Sequence, residues 1–369
     1  MHPSTASRFS HTLFLTVALL LLTAMPHAAA RPMAEDLPTQ VVTDALGREV
    51  TIPRPAERIA LGGRAVIMTA GGIYLFPGAS QRIVGIGDIQ QGKGNFFEAI
   101  DPAYGEKTIF HRNVGPEQMA AVFPDVAILK SIMRDDLGDG LERLGVPVVY
   151  IDLETPEQYE RDLRILGRVL ENESRAEELI AFFAARREAI ESRVRDIPHS
   201  ERPRVLLLSY TESAGEPVFS IPPRDWLQTD LVRMAGGTPV WVEGNPGRGW
   251  QPVSFEQIAA WNPDVVTIVS YRQPVDQVAA RTLARPEWRS LRATQDGRVY
   301  AFPGDFYSWD QPDVRWVLGL QWLATRLHPQ RFSDLNMEST MREFFAFLFG
   351  MTDTQIDSII VPLLDGDLR

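Results

Sequence analysis

Short runs of β-branched and other apolar residues, each bounded by Gly, Pro, Asp or Asn, alternate along this chain with longer stretches whose apolar positions recur at helical spacing. The pattern predicts strands at residues 58–61, 82–86, 125–129 and 148–151, and again at 204–208, 264–269 and 298–302. Residues 41–53 read as a small hairpin with Ala45-Leu46-Gly47-Arg48 at its turn. Between the two strand-bearing halves, residues 155–197 carry no strand signal. Thr155, Pro156 and Gln158 make a helix start there, with a capping hydroxyl, a first-turn proline and a capping-box partner. Ser174 with Glu177 repeats the box and opens a second helix, whose apolar face uses Leu179, Ile180, Phe183, Ile190 and Val194 and which stops at Pro198. A further helix is expected near 314–327. Residues 333–369 read as a helical appendage whose apolar run, 344–349, packs on the second half. Strand–helix alternation on both sides of an all-helical middle predicts an α/β protein: two Rossmann-like lobes with central parallel sheets, joined by a long rigid helix. The expected divisions are 31–154 for the first lobe, 155–197 for the strut, 198–332 for the second lobe and 333–369 for the appendage.

The first thirty residues change the picture of where the chain works. One full charge, Arg8, precedes an apolar run of thirteen residues from Leu13 to Met25, and Ala28, Ala29 and Ala30 follow. This is the layout of a secretory signal peptide (1–30) cleaved after Ala30, and the run is shorter than the ~20 residues of a spanning helix. The chain has no cysteine, so no lipid can be attached at a cleavage-site thiol and the expected product is a periplasmic protein that is not a lipoprotein. Without cysteine there are also no disulfides, thiolate metal sites or thiol nucleophiles. Three of the six histidines, His2, His11 and His27, fall in the leader; His111, His199 and His328 are too scattered for a metal-ligand spacing. No metal-ligating set is therefore expected, and a metal would arrive already chelated. After the leader the chain carries 36 basic against 48 acidic side chains, a net charge of −12, which disfavours nucleic acid as a partner.

An internal repeat is the most informative feature. Residues 114–126, VGPEQMAAVFPDV, align with 253–265, VSFEQIAAWNPDV, at a constant offset of 139 and with eight of thirteen positions identical. Each copy predicts a helix beginning near a glutamate, a Pro-Asp turn and a buried strand: one supersecondary unit used once per lobe. Glu117 and Glu256 hold equivalent places near helix N-termini, where the helix dipole favours a carboxylate. Together with the segment Val41-Val42-Thr43-Asp44-Ala45-Leu46-Gly47-Arg48 and the helical strut, the repeat resembles the class III periplasmic binding proteins of iron-chelate and cobalamin uptake, over residues 41–330. The resemblance implies a monomeric receptor that carries a small molecule to the permease dimer of an ABC importer at the inner membrane. It places Glu117 and Glu256 at the family's permease-docking positions and matches Trp250 to its cleft aromatic. The implied ligand is a metal chelate of the iron–siderophore type. The segment Ser308-Trp309-Asp310-Gln311-Pro312 resembles instead a branch that takes molybdate or tungstate, and cobalamin or haem also stays open on this scaffold.

In open α/β lobes ligands bind beyond the carboxyl ends of the strands, which nominates a cleft between the lobes and the loops that face it. Those loops offer Arg64, Arg112, Arg248, Trp250, Tyr271, Arg272, Tyr307 and Trp309. Arginine forks suit carboxylate, phosphate or catecholate oxygens, and indole or phenol faces suit flat ligands. No catalytic constellation is present: there is no Gly-x-Ser-x-Gly elbow, no cysteine nucleophile and no paired histidine. The expectation is a protein that is not an enzyme and needs no cofactor, with an exported hydrolase built on an acid pair as the less favoured reading.

Overall fold

Asp44 organises the first element. Its buried carboxylate accepts from the N–H groups of Leu46 and Arg48 and pairs with the Arg48 guanidinium at 2.9 Å, while Gly47 takes φ +75°. This closes the predicted turn between antiparallel strands β1 (Thr39–Thr43) and β2 (Glu49–Pro53). The computed structural model describes residues 38–247 and 249–368. The leader expected at 1–30 and Arg248 therefore lie outside the described residues.

Two sheets follow. The first contains β3 (Ile59–Leu61), β4 (Ile83–Gly87), β5 (Thr108–Phe110), β6 (Val126–Lys130) and β7 (Val148–Ile151), all parallel in the order β5-β4-β3-β6-β7. The second contains β8 (Arg204–Ser213), β9 (Glu216–Ile221), β10 (Thr238–Pro239), β11 (Gln251–Val253), β12 (Val265–Val269) and β13 (Val299–Ala301). Its order is β11-β9-β8-β12-β13, with β10 also beside β8. Strands β10, β8, β12 and β13 are parallel, and β9 turns back on β8 to start an antiparallel extension that β11 completes. Central strands β6 and β12 are buried along their whole length, as expected of parallel strands covered on both faces. The apolar runs predicted these central strands to within a residue or two. The edge strands β7 and β13 were predicted as well, at 148–151 and 298–302, but β5, β9 and β11 were not: β5 is three residues long, and β9 and β11 contain Pro217 and Pro252, tolerated where no ladder N–H is needed.

The sheets are joined by a helical hairpin, Pro156–Val169 and Glu173–Val194, in place of a single long helix. Thr155 caps the first helix as predicted, accepting from the Gln158 N–H at 3.2 Å. The second helix is capped by Asn172, which accepts from the Arg175 N–H, and not by Ser174. Glu177 is thereby free to pair with Arg164 at 2.7 Å, and Arg187 pairs with Glu157 at 3.0 Å, so the two helices run antiparallel. The 22-residue arm buries Ala176, Leu179, Phe182, Phe183, Ile190 and Val194.

The helix Met337–Phe349 buries Phe344 and Phe345, and Phe347 stacks on Phe182 of the hairpin at 4.4 Å. Phe345 and Phe349 also meet Phe96, at 5.8 and 4.8 Å. Phe96 lies in the long connection after β4, so the appendage packs across both lobes and not on the second alone. Its apolar run is spent in that core. Among the described residues no single helix is long and apolar enough to cross a membrane.

Candidate ligand-binding site

The connection after β4 closes the space between the lobes. Gln91 and Gln311 exchange amide hydrogen bonds at 3.0 and 3.2 Å, the Gly92 N–H donates to the Tyr271 carbonyl at 3.4 Å, and the Phe96 N–H donates to the Tyr307 hydroxyl at 3.1 Å. Glycine is required at 92, because a Cβ there would stand 2.9 Å from the Arg272 carbonyl oxygen. This strap, with the loops after β12 and β13, encloses a cavity of about 80 Å³ walled by Gln91, Lys93, Ser270, Arg272, Phe306 and Asp365 among others. The volume is several times the ~10–15 Å³ that one water needs, and well below the ~300–1,000 Å³ of pockets for drug-sized ligands. Its place beyond the carboxyl ends of the second sheet's strands is the one that topology favours for a ligand.

Two of the nominated residues line this cavity and a third packs behind them. Arg272 is exposed at the cavity wall, and Tyr271 beside it packs on Trp250 at 6.2 Å, which in turn meets Trp226 edge-on at 5.8 Å. The Tyr271 hydroxyl donates to Asp310 at 2.7 Å, and Ser308 and Gln228 donate to the same buried carboxylate at 2.6 and 3.3 Å. Burial pushes the Asp310 carboxyl up from its ordinary value, and desolvation with the Asp310 charge raises the Tyr271 phenol well above its own. The pair therefore positions the Tyr271 ring and is not a free acid–base couple. Tyr307 and Trp309 lie inside the protein: the Tyr307 hydroxyl serves Phe96 and Asn95, and the Trp309 indole N–H donates to Asp305 at 2.8 Å. Arg64 and Arg112 stand exposed beyond the ends of β3 and β5, and Arg64 faces Asp136 at 3.6 Å. They share the first lobe's carboxyl edge with Lys130, a buried ammonium held by Glu154, whose burial lowers its pKa.

Sequence reading missed the group that fixes the loop after β13. Asp305, Asp313 and Arg315 are fully buried: Arg315 Nε lies 2.8 Å from Asp305 and its Nη1 3.2 Å from Asp313. The guanidinium also sits 4.4 Å from the Phe96 ring centroid and 5.4 Å from that of Phe345. Burial opposes the charged form of Arg315, but the two carboxylates outweigh it and hold its pKa above the ordinary value. Such a cluster needs spacing information that only the fold supplies. Asp-x-Arg in a loop carried no periodic signal. Lys93 and Asp365 were equally invisible, one in a connection and the other near the C-terminus. Among the described residues no three His, Asp or Glu side chains are placed to hold a metal ion.

The repeat appears as two equivalent units, Pro116–Ala120 leading to β6 and Phe255–Trp261 leading to β12. Each helix runs back toward its strand's start, so its N-terminus lies at the cleft edge of the sheet. Gly62, just past β3, lies against Val114 and Met119, and Val253 pairs through Phe219 with Tyr210 near the end of β8. Glu117 and Glu256 occupy the first turns and are both exposed. Hydrogen bonds from Ser254 and from its own backbone hold the Glu256 carboxyl below the usual range.

Two sheets built around parallel strands, a packed helical hairpin between them and a small cavity at the carboxyl edge of the second are the makings of a solute receptor, and sequence comparison bears on the same class. The periplasmic binding protein family matches residues 101–306, more than half of the chain, and the chain belongs to that family. The molybdate-binding protein MolA of Haemophilus influenzae is 23% identical over 336 residues, covering 84% of this chain and 90% of the relative. Among solved structures, a periplasmic solute binding protein of Veillonella parvula superposes with a TM-score of 0.71 at 24% identity, over 88% of this chain and 98% of its own. MolA with molybdate bound gives 0.70 at 22% identity, over 85% and 98%. The TroA-like periplasmic binding protein FepB of V. parvula gives 0.69 at 21%, over 85% and 97%. These structures share the fold.

Proposed function

We propose that the protein is the exported receptor of an ABC importer and that its ligand is a compact oxyanion. The observation that carries this reading is the cavity itself: about 80 Å³, with Arg272 and Lys93 in its wall. A fully ionised tetrahedral anion suits both the volume and the charge-assisted donors, whereas a bulky metal chelate needs several times the space. The 84% coverage by a relative described as molybdate-binding supports the same ligand class. Tyr271 lines the cavity and is backed by Trp250, and the exposed Arg64 and Arg112 add positive charge at the first lobe's carboxyl edge. In this reading the leader at 1–30 is removed on export to the periplasm, and Glu117 and Glu256 dock one lobe each on arginines of a permease dimer. The MolA structure is described with a cognate ABC transporter, which supports the importer role.

A thermal-shift panel tests the ligand class, because a ligand that binds only the folded state raises Tm, by about 2.7 kcal/mol of stability at a hundredfold excess over Kd. Molybdate and tungstate are expected to raise Tm at micromolar concentration, with ferric catecholate, haem and cobalamin inert. A shift from a chelate and none from the oxyanions overturns the oxyanion reading in favour of a cleft that opens widely.

A further inference from the structure

The cavity already contains a carboxylate, supplied by the C-terminal segment. Lys93, from the first-lobe strap, places Nζ 2.6 Å from Asp365 Oδ1 and also donates to the Leu363 carbonyl at 2.8 Å. The other Asp365 oxygen accepts from the Val275 N–H at 3.2 Å, where the ten-residue helix Val275–Ala284 begins. The Asp365 backbone is stitched to Gly304 in both directions, at 3.0 and 3.2 Å. Lys93, Val275, Gly304, Asp365 and Arg272 all line the same cavity. An ammonium and a helix-end N–H converging on one carboxylate make an anion position, and here the occupant is a residue of the protein. Asp365 lies beyond the α/β lobes, so a segment with no part in either sheet reaches into the ligand cavity and ties it to the first lobe.

We propose that Asp365 is a resident competitor for the anion site: it holds Lys93 until an anionic ligand displaces it, and its displacement loosens the C-terminal segment. The proposal rests on the oxyanion reading above. A dianion entering beside an ionised Asp365 would place like charges on one ammonium within a small, partly desolvated space, so the two cannot share Lys93 without repulsion. The anion gains Lys93 and Arg272 together only when the carboxylate leaves. Ligand capture and release of the segment at Gly304 are then one event, and the carboxylate sets a threshold that weakly charged solutes do not pass.

The test is calorimetric titration of sodium molybdate into wild type, Asp365→Asn, Lys93→Gln and Arg272→Gln, with hydrogen–deuterium exchange on wild type. Asp365→Asn is expected to bind at least about fivefold tighter, within the usual span of coupling between two interacting sites, while Lys93→Gln and Arg272→Gln bind more weakly. The Gly304 and Asp365 amides of wild type should exchange faster when molybdate is bound. Binding by Asp365→Asn with none by wild type would support the proposal still more directly. If Arg272→Gln weakens binding but Asp365→Asn is unchanged or weaker, or if the two amides become better protected, the competitor role is overturned and the oxyanion site stands. If no protein binds molybdate, the oxyanion reading fails and the proposal falls with it.

Discussion

Asp125 and Asp264, the acids of the two Pro-Asp turns, are structural latches. The Asp125 carboxylate accepts from the Glu57 and Arg58 N–H groups at 2.9 Å, ahead of β3, and that of Asp264 accepts from the Arg204 N–H at 2.9 Å, at the start of β8. In return Arg58 donates to the Val122 and Phe123 carbonyls, and Arg204 to that of Trp261. The two copies even share a left-handed residue, Phe123 at φ +50° and Asn262 at φ +40°. Asparagine tolerates that conformation, whereas the left-handed region costs a residue such as phenylalanine about 1 kcal/mol. Because Phe123 is 71% exposed it gains little from packing, so Phe123→Asn is expected to stabilise the protein by about 0.5–1 kcal/mol in urea denaturation; a loss of stability would show the ring to be held by contacts. In the cleft, Trp250→Ala is expected to weaken anion binding several-fold without lowering Tm by more than a few degrees, since Trp250 is only partly buried. Unchanged affinity would remove Trp250 from the site. The Pro-Asp of each copy was legible as a turn, and its hydrogen bonds show it to be a latch as well.

Elements were legible where burial on both faces wrote an unbroken apolar run, as in β6, β7 and β12, and where a cap announced a helix, as at Thr155. They were illegible in the short strand β5, in the proline-containing strands β9 and β11, and where polar clusters drawn from distant segments fix a loop. The Asp305–Arg315–Asp313 cluster is the clearest case. It joins the loop after β13, the helix Trp316–Leu327, the strap at Phe96 and the appendage at Phe345. Replacing Arg315 by Met leaves two carboxylates buried without a counter-charge, and the expected cost is about 3–5 kcal/mol. Chemical denaturation measures it, and a loss under 1 kcal/mol would mean that solvent reaches the cluster. At the same scale, the hairpin of Pro156–Val169 and Glu173–Val194 shares its core with Trp316 and Phe347. A joint packed in this way resists hinge motion, so solution scattering should show little change in radius of gyration when ligand is added. A large compaction would contradict a rigid joint.

For the whole molecule, the proposed function assigns capture and delivery to different surfaces on the same edge. Glu117 and Glu256 are exposed and stand outside the cavity lining, so their joint replacement by alanine should leave ligand affinity unchanged while abolishing docking on the cognate importer, and docking of wild type should weaken as salt rises. Normal docking by the double variant would return both acids to a capping role. In the proposed function a compact anion is held between Lys93 of the first lobe and Arg272 of the second. Crystals grown with molybdate test it most directly, because the anomalous signal of molybdenum locates the ligand independently of any assumed contact. A single peak is expected in the cavity after β12 and β13, with the ligand oxygens within hydrogen-bond reach of Arg272 and Lys93. A peak elsewhere, or an empty cavity at saturating molybdate, would contradict it.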